Sequence, residues 1–299
     1  LYFYILGKAD TIMGCISEIT GQTRLTGLLG SPVSHSKSPL MHNEAYRLLG
    51  LDYVYLCFDV PENNLQVAFE GLKKLNVAGF NCTMPDKTLM SKLVDELSPA
   101  AKIIGAVNTV VNDNGKFVGH NTDGTGYIRS LQDCGHNIVG KKMTLLGSGG
   151  AASSICVQAA LDGAREIDVL SIKDNFWSKA EKLVSDDNTD CKVNLIEMND
   201  DSIGESVFSS DILTNATPIG MAPNTDGCLV KDSSILRPEL IVSDIIYNPL
   251  ETKLYKMAKE KGCSLFNGLY MLLYQGAEAF FLWTGKEMPT EEIKAKYFD

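Results

Sequence analysis

Residues 141–152 read KKMTLLGSGGAA, and the fold turns on how this stretch is read. An apolar run suited to a β-strand passes without a break into Gly147-Ser148-Gly149-Gly150-Ala151-Ala152, which fits G-x-G-x-x-A. In that pattern Gly147 permits the turn, Gly149 lets a pyrophosphate approach the backbone, and Ala152 allows the next helix to pack tightly. The next helix would offer backbone N–H groups to the phosphates. Turn glycines are common, so the pattern alone would fit a purely structural turn. Here strand, turn, helix and next strand fall in order, which favours a dinucleotide site.

The next strand, EIDVLSIKD, ends at Lys173 and Asp174, where such folds present the group that reads the adenosine ribose. An acidic side chain accepts hydrogen bonds from a 2′-hydroxyl and repels a 2′-phosphate, whereas a cation welcomes the phosphate. Asp174 therefore favours NAD, and Lys173 leaves NADP open. The plain alternative for both is a pair of solvated loop charges.

Upstream, strand-like runs (RLTGLLG, DYVYLCFDV, NVAGFNCTM) alternate with helix-patterned stretches (SPLMHNEAYRLLG, NNLQVAFEGLKKL, KTLMSKLVDEL), which argues for βαβ units and a parallel sheet. NTVVNDNGKFVGHNTDG then reads as two strands joined by a tight turn at Asn114-Gly115, closing a first domain. Downstream of the glycine turn the α/β series continues through VNLIEM, DILTNAT and LIVSDII, and NGLYMLLYQGAEAFFLWTG reads as an apolar helix that returns to the first domain. The expected fold is α/β with two domains. An N-terminal α/β substrate domain with a mainly parallel sheet takes residues 1–126 and 262–299, and a Rossmann-like dinucleotide-binding domain takes 127–261.

Composition narrows the partners. The chain of 299 residues carries a formal net charge of -10 and no basic run, so the footprint for nucleic acid or an anionic membrane is missing and a small molecule is the expected partner. Eight dispersed cysteines, with no CxxC pair and no histidine at ligand spacing, suit reduced core residues of a cytoplasmic protein, and no metal site is expected. The opening LYFYILGKADTI is too short to span a bilayer and reads as a vector-derived or misplaced start, with Met13 a candidate initiator. Residues 1–20 are accordingly expected to be non-native or disordered. A symmetric homodimer is compatible with the sequence, being the commonest assembly.

The remaining candidates are polar residues after strands. In GSPVSHSKSPLMHN, Ser36 and Ser38 precede a helix with Pro39 at its first position, so Ser38 is an N-cap candidate. Two hydroxyls beside free N–H groups would hold a carboxylate, with capping alone as the even alternative. His35 and His42 read as structural. Asn81, Thr83 and Lys87, then Asn108 in GAVNT, then Asp123 in GHNTDG, would each be an ordinary turn residue taken singly. Lys87 stands out because a cation at a helix start opposes the macrodipole.

SHSKSP, the N-x-T-x-P-x-K pattern around Lys87, GAVNT, NTDGTG, GSGGA, NATPIGM, YNP and GLYMLLYQGAEAF occur in this order from about Thr26 onward, and together they resemble the shikimate dehydrogenase family. The resemblance implies an active site in the cleft between the two domains and reversible oxidation of the C3 hydroxyl of shikimate to 3-dehydroshikimate. It implies that Ser36, Ser38 and Tyr247 hold the substrate carboxylate and that Thr83, Asn108, Asp123 and Gln275 bind hydroxyls or orient the ring. Lys87 and Asp123 would be the catalytic pair, and which of the two takes the proton stays open. On the cofactor side the expected set is Gly147, Ser148, Gly149, Gly150, Ala151, Ser171, Lys173, Asp174, Thr217 and Gly268.

The chain departs from NADP-specific members, which carry N-R-T and a further arginine where SIKDNFWSK stands here. It looks more like the quinate/shikimate dehydrogenase branch, whose members use NAD as well as NADP and oxidise quinate. Two other readings stay open: an enzyme similar to methylenetetrahydrofolate dehydrogenase, which the paired serines disfavour, and a catalytically silent ligand sensor.

Overall fold

In the computed structural model, which describes residues 19–83, 85–173, 177, 178, 180, 181 and 190–298, the run RLTGLLG is strand β1 (Arg24–Gly30). Helix α1 (Ser38–Leu48) leads to β2 (Tyr53–Asp59), and α2 (Leu65–Lys74) leads to β3 (Gly79–Cys82). Both β2 and β3 pair in parallel with β1, which is the expected βαβ arrangement. Then come α3 (Lys87–Leu93), the two-residue β4 (Glu96–Leu97), α4 (Pro99–Ile104), β5 (Thr109–Asp113) and β6 (Lys116–His120). β5 and β6 form the predicted hairpin, with Asn114 at φ 52° and Gly115 at φ 92° supplying the two left-handed residues of its turn. The sheet order is β2-β1-β3-β5-β6-β4.

One helical expectation fails. KTLMSKLVDEL is helical only to Leu93, because Val94 turns extended at ψ 155° and the Asp95 N–H donates to the Phe117 carbonyl at 2.9 Å. Glu96 and Leu97 then join β6 as a short parallel strand. The helical spacing of Leu93 and Leu97 was compatible with either outcome, and pairing with β6 decided it.

Helix α5 (Asp123–Asp133) links the two halves. Beyond it lie β7 (Lys142–Leu146), α6 (Gly150–Leu161), β8 (Glu166–Ser171), β9 (Lys192–Glu197), α7 (Asp200–Phe208), β10 (Ile212–Asn215), β11 (Ile241–Asp244), α8 (Lys253–Glu260) and β12 (Ser264–Asn267). These strands form an all-parallel sheet of order β12-β11-β10-β7-β8-β9. This is the doubly wound arrangement, and its order reverses between β7 and β10, where a ligand crevice is expected. The expected domain limits shift accordingly. β12 belongs to this second sheet, so the return to the first half begins at Gly268 and not at 262, and the limit after 126 falls inside α5.

The chain returns through α9 (Gly268–Thr284) and α10 (Thr290–Tyr297). The Asn267 side chain caps α9 by accepting from the Leu269 N–H at 3.0 Å, and Gly285 ends it at φ 66°. α9 closes one face of the first sheet. Phe280 and Trp283 pack with Tyr46, Tyr55 and His42, and the Trp283 indole N–H donates to the Val110 carbonyl at 3.0 Å. The His42 ring stacks on Tyr55 at 4.4 Å between centroids, and neither of its nitrogens has a partner among the described residues. Burial lowers its pKa to about 3, so the ring is neutral and structural, as the sequence suggested. The opposite face of the sheet is filled by Leu29, Phe69, Phe80 and Phe117.

α5 is clamped from two sides. A Cβ on Gly126 would meet the backbone of Met271 and Gln275 in α9, and one on Gly124 would meet Ser154 and Gln158 in α6. Glycines two positions apart face opposite sides of a helix, so α5 touches both halves of the molecule through bare backbone. Tyr127 fastens the same helix to the second sheet, its hydroxyl lying 2.6 Å from Thr214 Oγ1 and 3.0 Å from Ser243 Oγ.

Candidate active site

Topology brings the sequence candidates together. β3 runs antiparallel to β5 and β5 to β6, so the end of β3, the start of β5 and the end of β6 share one edge, with Asn81 opposite Thr109 and Thr109 opposite His120. Helix α3, which opens on Lys87, comes after β3; Asn108 comes just before β5; and α5, which opens on Asp123, comes after β6. Lys87 Nζ lies 2.6 Å from Asp123 Oδ2. The carboxylate thus offsets the macrodipole that opposes a cation at the start of α3, and is itself well placed at the start of α5. The lysine side chain is 27% exposed and the aspartate 10%, so the ammonium is the member that faces solvent.

Asn108, buried, is the hub. Its Nδ2 donates to Asp123 Oδ1 at 2.8 Å and to Thr122 Oγ1 at 3.0 Å, and sits 3.5 Å from Gln275 Oε1. Its Oδ1 accepts from the Thr122 N–H at 2.9 Å and from Thr109 Oγ1 at 3.0 Å. The chain of bonds continues from Thr109 Oγ1 to Asn81 Nδ2 (3.0 Å) and from Asn81 Oδ1 to the Tyr55 hydroxyl (2.8 Å). Ser38 faces this phenol, and Ser36 faces the Cys57 thiol. A fully satisfied buried network of this kind fixes the rotamers of the groups at its rim. Sequence reasoning missed Thr122, Thr109 and Tyr55 as members; only Thr122, inside NTDG, carried a signal that could have found it.

One expectation needs correction. Ser38 is not the N-cap of α1. Lys37 takes that position without a side-chain bond, Pro39 falls one step further in, and the Ser36 hydroxyl accepts the Ser38 N–H at 3.2 Å. The αR backbone of Lys37 (φ -83°, ψ -11°) already starts the turn and leaves Ser38 inside it. Tyr247 lies beyond β11 on the second half, 43% exposed. Thr83 sits just past β3, its N–H donating to the Leu29 carbonyl at 2.9 Å, and its hydroxyl makes no hydrogen bond among the described residues. Asp86, beside Lys87, is fully buried with neither carboxyl oxygen partnered among the described residues, and burial first, then the charge of Glu62, raises its pKa.

The glycine turn lies at the switch point. Gly147 adopts φ 105° and is pressed against Thr217 (2.9 Å from the site of a Cβ) and Ala216. Gly149 and Gly150, which open α6, have no atom of another described residue beyond their own neighbours and turn within 4 Å of where a Cβ would stand, with Ala151 next in the same first turn. A helix start with open-fronted glycines fits a pyrophosphate. Ser148 Oγ and Ser171 Oγ are 2.6 Å apart and buried, tying the turn to the end of β8. Thr217 Oγ1 donates to Asn215 Oδ1 at 2.7 Å, and Asn215 Nδ2 donates to Asp244 Oδ1 at 3.1 Å. Asn215 and Asp244, which sequence reasoning passed over, brace the loops of β10 and β11. Burial raises the pKa of Asp244 despite bonds from Thr252 and the Ile246 N–H. Gly268 is glycine because any Cβ would strike the Ile245 backbone. Lys173 is ion-paired to Glu197, and Asp174 lies outside the described residues. Among the described residues no group of three His, Cys, Asp or Glu is placed to hold a metal ion, and no helix is long and apolar enough to cross a membrane.

This geometry defines a class: two-domain α/β proteins in which a dinucleotide-type turn at the switch point of one sheet is joined through a shared helix to a Lys–Asp pair at the edge of the other. Comparison with known proteins gives the particular family. A family model described as the shikimate dehydrogenase substrate binding domain matches residues 28–110, and one described as the shikimate 5′-dehydrogenase C-terminal domain matches residues 268–296. A shikimate dehydrogenase (NADP(+)) of Listeria monocytogenes serotype 4b is 52% identical, covering 94% of this chain and 98% of its own. One of Alkaliphilus metalliredigens is 47% identical over 93% of this chain and 97% of its own. A crystal structure of the Listeria monocytogenes shikimate 5-dehydrogenase in complex with shikimate and NAD superposes with a TM-score of 0.89 at 51% identity, covering 93% of this chain and 97% of that one. The chain belongs to the shikimate dehydrogenase family, and it is an oxidoreductase.

Proposed function

We propose that this protein catalyses the reversible NAD(P)-dependent oxidation of shikimate at C3 to 3-dehydroshikimate, with quinate as a second substrate of the same site. The observation that carries the reading is the 2.6 Å contact of Lys87 Nζ with Asp123 Oδ2 on a buried asparagine hub. A bound nicotinamide would supply the hydride acceptor for C3. Every other task falls to side chains of this chain.

Hydride loss leaves the C3 oxygen electron-poor unless its proton departs too, so a positioned acceptor lowers the barrier, and in reverse a cationic donor stabilises the carbonyl oxygen. Both oxygens of Asp123 are already engaged, by Asn108 and by Lys87. Oxidation needs an acceptor with a lone pair, so in that direction the amine of Lys87 takes the C3 hydroxyl proton while Asp123 orients it, and in reverse the ammonium so formed returns the proton to the carbonyl oxygen. Ser36, Ser38 and Tyr247 are assigned to the carboxylate, and Thr83 and Gln275 to the ring hydroxyls. Gly147, Ser148, Gly149, Gly150, Ala151, Ser171, Thr217 and Gly268 are assigned to the dinucleotide.

Lys87→Ala should lower kcat by about 10²- to 10⁴-fold with little change in KM for shikimate. Near-normal turnover by that variant would remove Lys87 from the reaction, and a steady-state matrix of shikimate and quinate against NAD and NADP fixes the two preferences. We also place the protein in the cytoplasm, a reading supported by the cysteines, none of which is disulfide-bonded among the described residues. A symmetric homodimer is the proposed assembly on general frequency, measurable by light scattering.

A further inference from the structure

Lys173 lies two residues past the end of β8, at the corner where a sheet of this order meets the adenosine ribose. Its ammonium is already engaged there. Nζ lies 2.6 Å from Oε2 of Glu197 and 5.7 Å from the centroid of the Trp177 ring. Glu197 is the last residue of β9 and pairs in register with Ser171, the last residue of β8. Its carboxylate is therefore carried to the ribose corner by the sheet and not by the loop after β8.

We propose that Glu197 is a specificity-determining residue for the dinucleotide: by engaging Lys173 and setting a negative charge beside it, it favours a 2′-hydroxyl over a 2′-phosphate. The inference rests on the NAD(P) reading under Proposed function. A cation at this corner welcomes a 2′-phosphate and an anion repels it, so a Lys–Glu pair gives neither sign the field to itself. Removing the carboxylate both frees the ammonium and ends the repulsion, and the two effects act in the same direction. Both side chains are more than half exposed (60% and 56%), so water and salt weaken the effect, and the outcome is a graded preference and not an exclusion.

The test compares Glu197→Gln, Lys173→Ala and the double variant by calorimetric titration of the protein with NAD and with NADP, then by kcat/KM for each. Glu197→Gln should tighten NADP roughly fivefold and move NAD by less than about twofold. The gain should shrink at about 0.5 M salt, and it should be smaller on the Lys173→Ala background, where only the loss of repulsion remains. Equal shifts for both dinucleotides, or none, overturn the role of Glu197. If the unaltered protein binds neither dinucleotide, the NAD(P) reading itself fails and the inference falls with it.

Discussion

The clamp on α5 can be tested by adding one methyl group. In Gly126→Ala the new Cβ would stand 2.7 Å from the Gln275 nitrogen and 2.9 Å from both Gln275 Cβ and the Met271 carbonyl oxygen. Comfortable contact needs about 3.5 Å, so one helix must retreat by about 0.8 Å. The obstruction is stiff, since Gln275 N and Met271 O are spaced as donor and acceptor of one turn of α9, and separating them would break that turn. Overpacking of this kind costs about 1–3 kcal/mol, and the better helix propensity of alanine returns about 1 kcal/mol, so stability should fall by about 0–2 kcal/mol. The larger effect is on geometry. Asp123 is three residues away on the same helix and Gln275 is the obstacle itself, and a displacement near 1 Å at a reacting pair costs about 100-fold. We expect kcat for shikimate oxidation to drop by about 10- to 100-fold while calorimetric affinity for the dinucleotide holds, because the glycine turn lies on the far side of α5. Gly124→Ala, which presses on α6 at Gln158 Cβ (2.6 Å), is the control for the opposite face. A Gly126→Ala protein with unchanged turnover and melting would show that α5 and α9 are not in contact as described.

Asn108→Ala should cost about 1–3 kcal/mol in denaturant unfolding, since it orphans the buried Thr122 N–H, and should lower kcat far more than it raises KM. Equal losses in the two kinetic constants would contradict a role in holding Asp123. His42 has a folded pKa of about 3 against about 6.5 unfolded, so below pH 6.5 the unfolded chain binds a proton that the fold refuses. Stability should fall by up to about 1.4 kcal/mol per pH unit between pH 6 and 4, and His42→Phe should flatten that limb; a parallel limb would mean the ring is hydrated. For Asp86 the sign is opposite. Its raised pKa favours the protonated form in the fold, so the penalty is absent below the unfolded pKa near 4 and grows as pH rises through the folded value. Asp86→Asn should match the parent near pH 4 and exceed it in melting temperature at pH 8, and a constant offset would remove the assignment.

Much of the fold was legible in the sequence because the decisive signals are local. Alternation around Arg24–Gly30, the Asn114-Gly115 turn and the passage from KMTLL into Gly147 each depend on a few adjacent residues. What resisted reading was set by distant partners. No spacing rule links Lys87 to Asp123; their meeting requires β3, β5 and β6 to lie side by side, which only the assembled sheet decides. Glu96-Leu97 became a strand because β6 was there to receive it, and Ser264–Asn267 joined the second sheet because β11 offered a free edge. Ser38 lost its capping role to a backbone choice one residue earlier, at Lys37, and side-chain preferences do not encode that choice. The Asn215–Asp244 brace was hidden for the same reason as the Lys87–Asp123 contact, since two turn residues reveal a bond only once their strands are neighbours.

The return of α9 to the first half has a consequence for the nascent chain. Tyr55 and Phe280 belong to one aromatic layer but stand roughly 225 positions apart, which at ribosomal rates is on the order of 10 to 45 s of translation. Throughout that interval the lobe synthesised first keeps an oily flank uncovered, and the lobe synthesised second can settle before it. Maturation therefore runs out of sequence order, and holding chaperones have their longest opportunity at the α1 and β2 surface that Trp283 eventually seals.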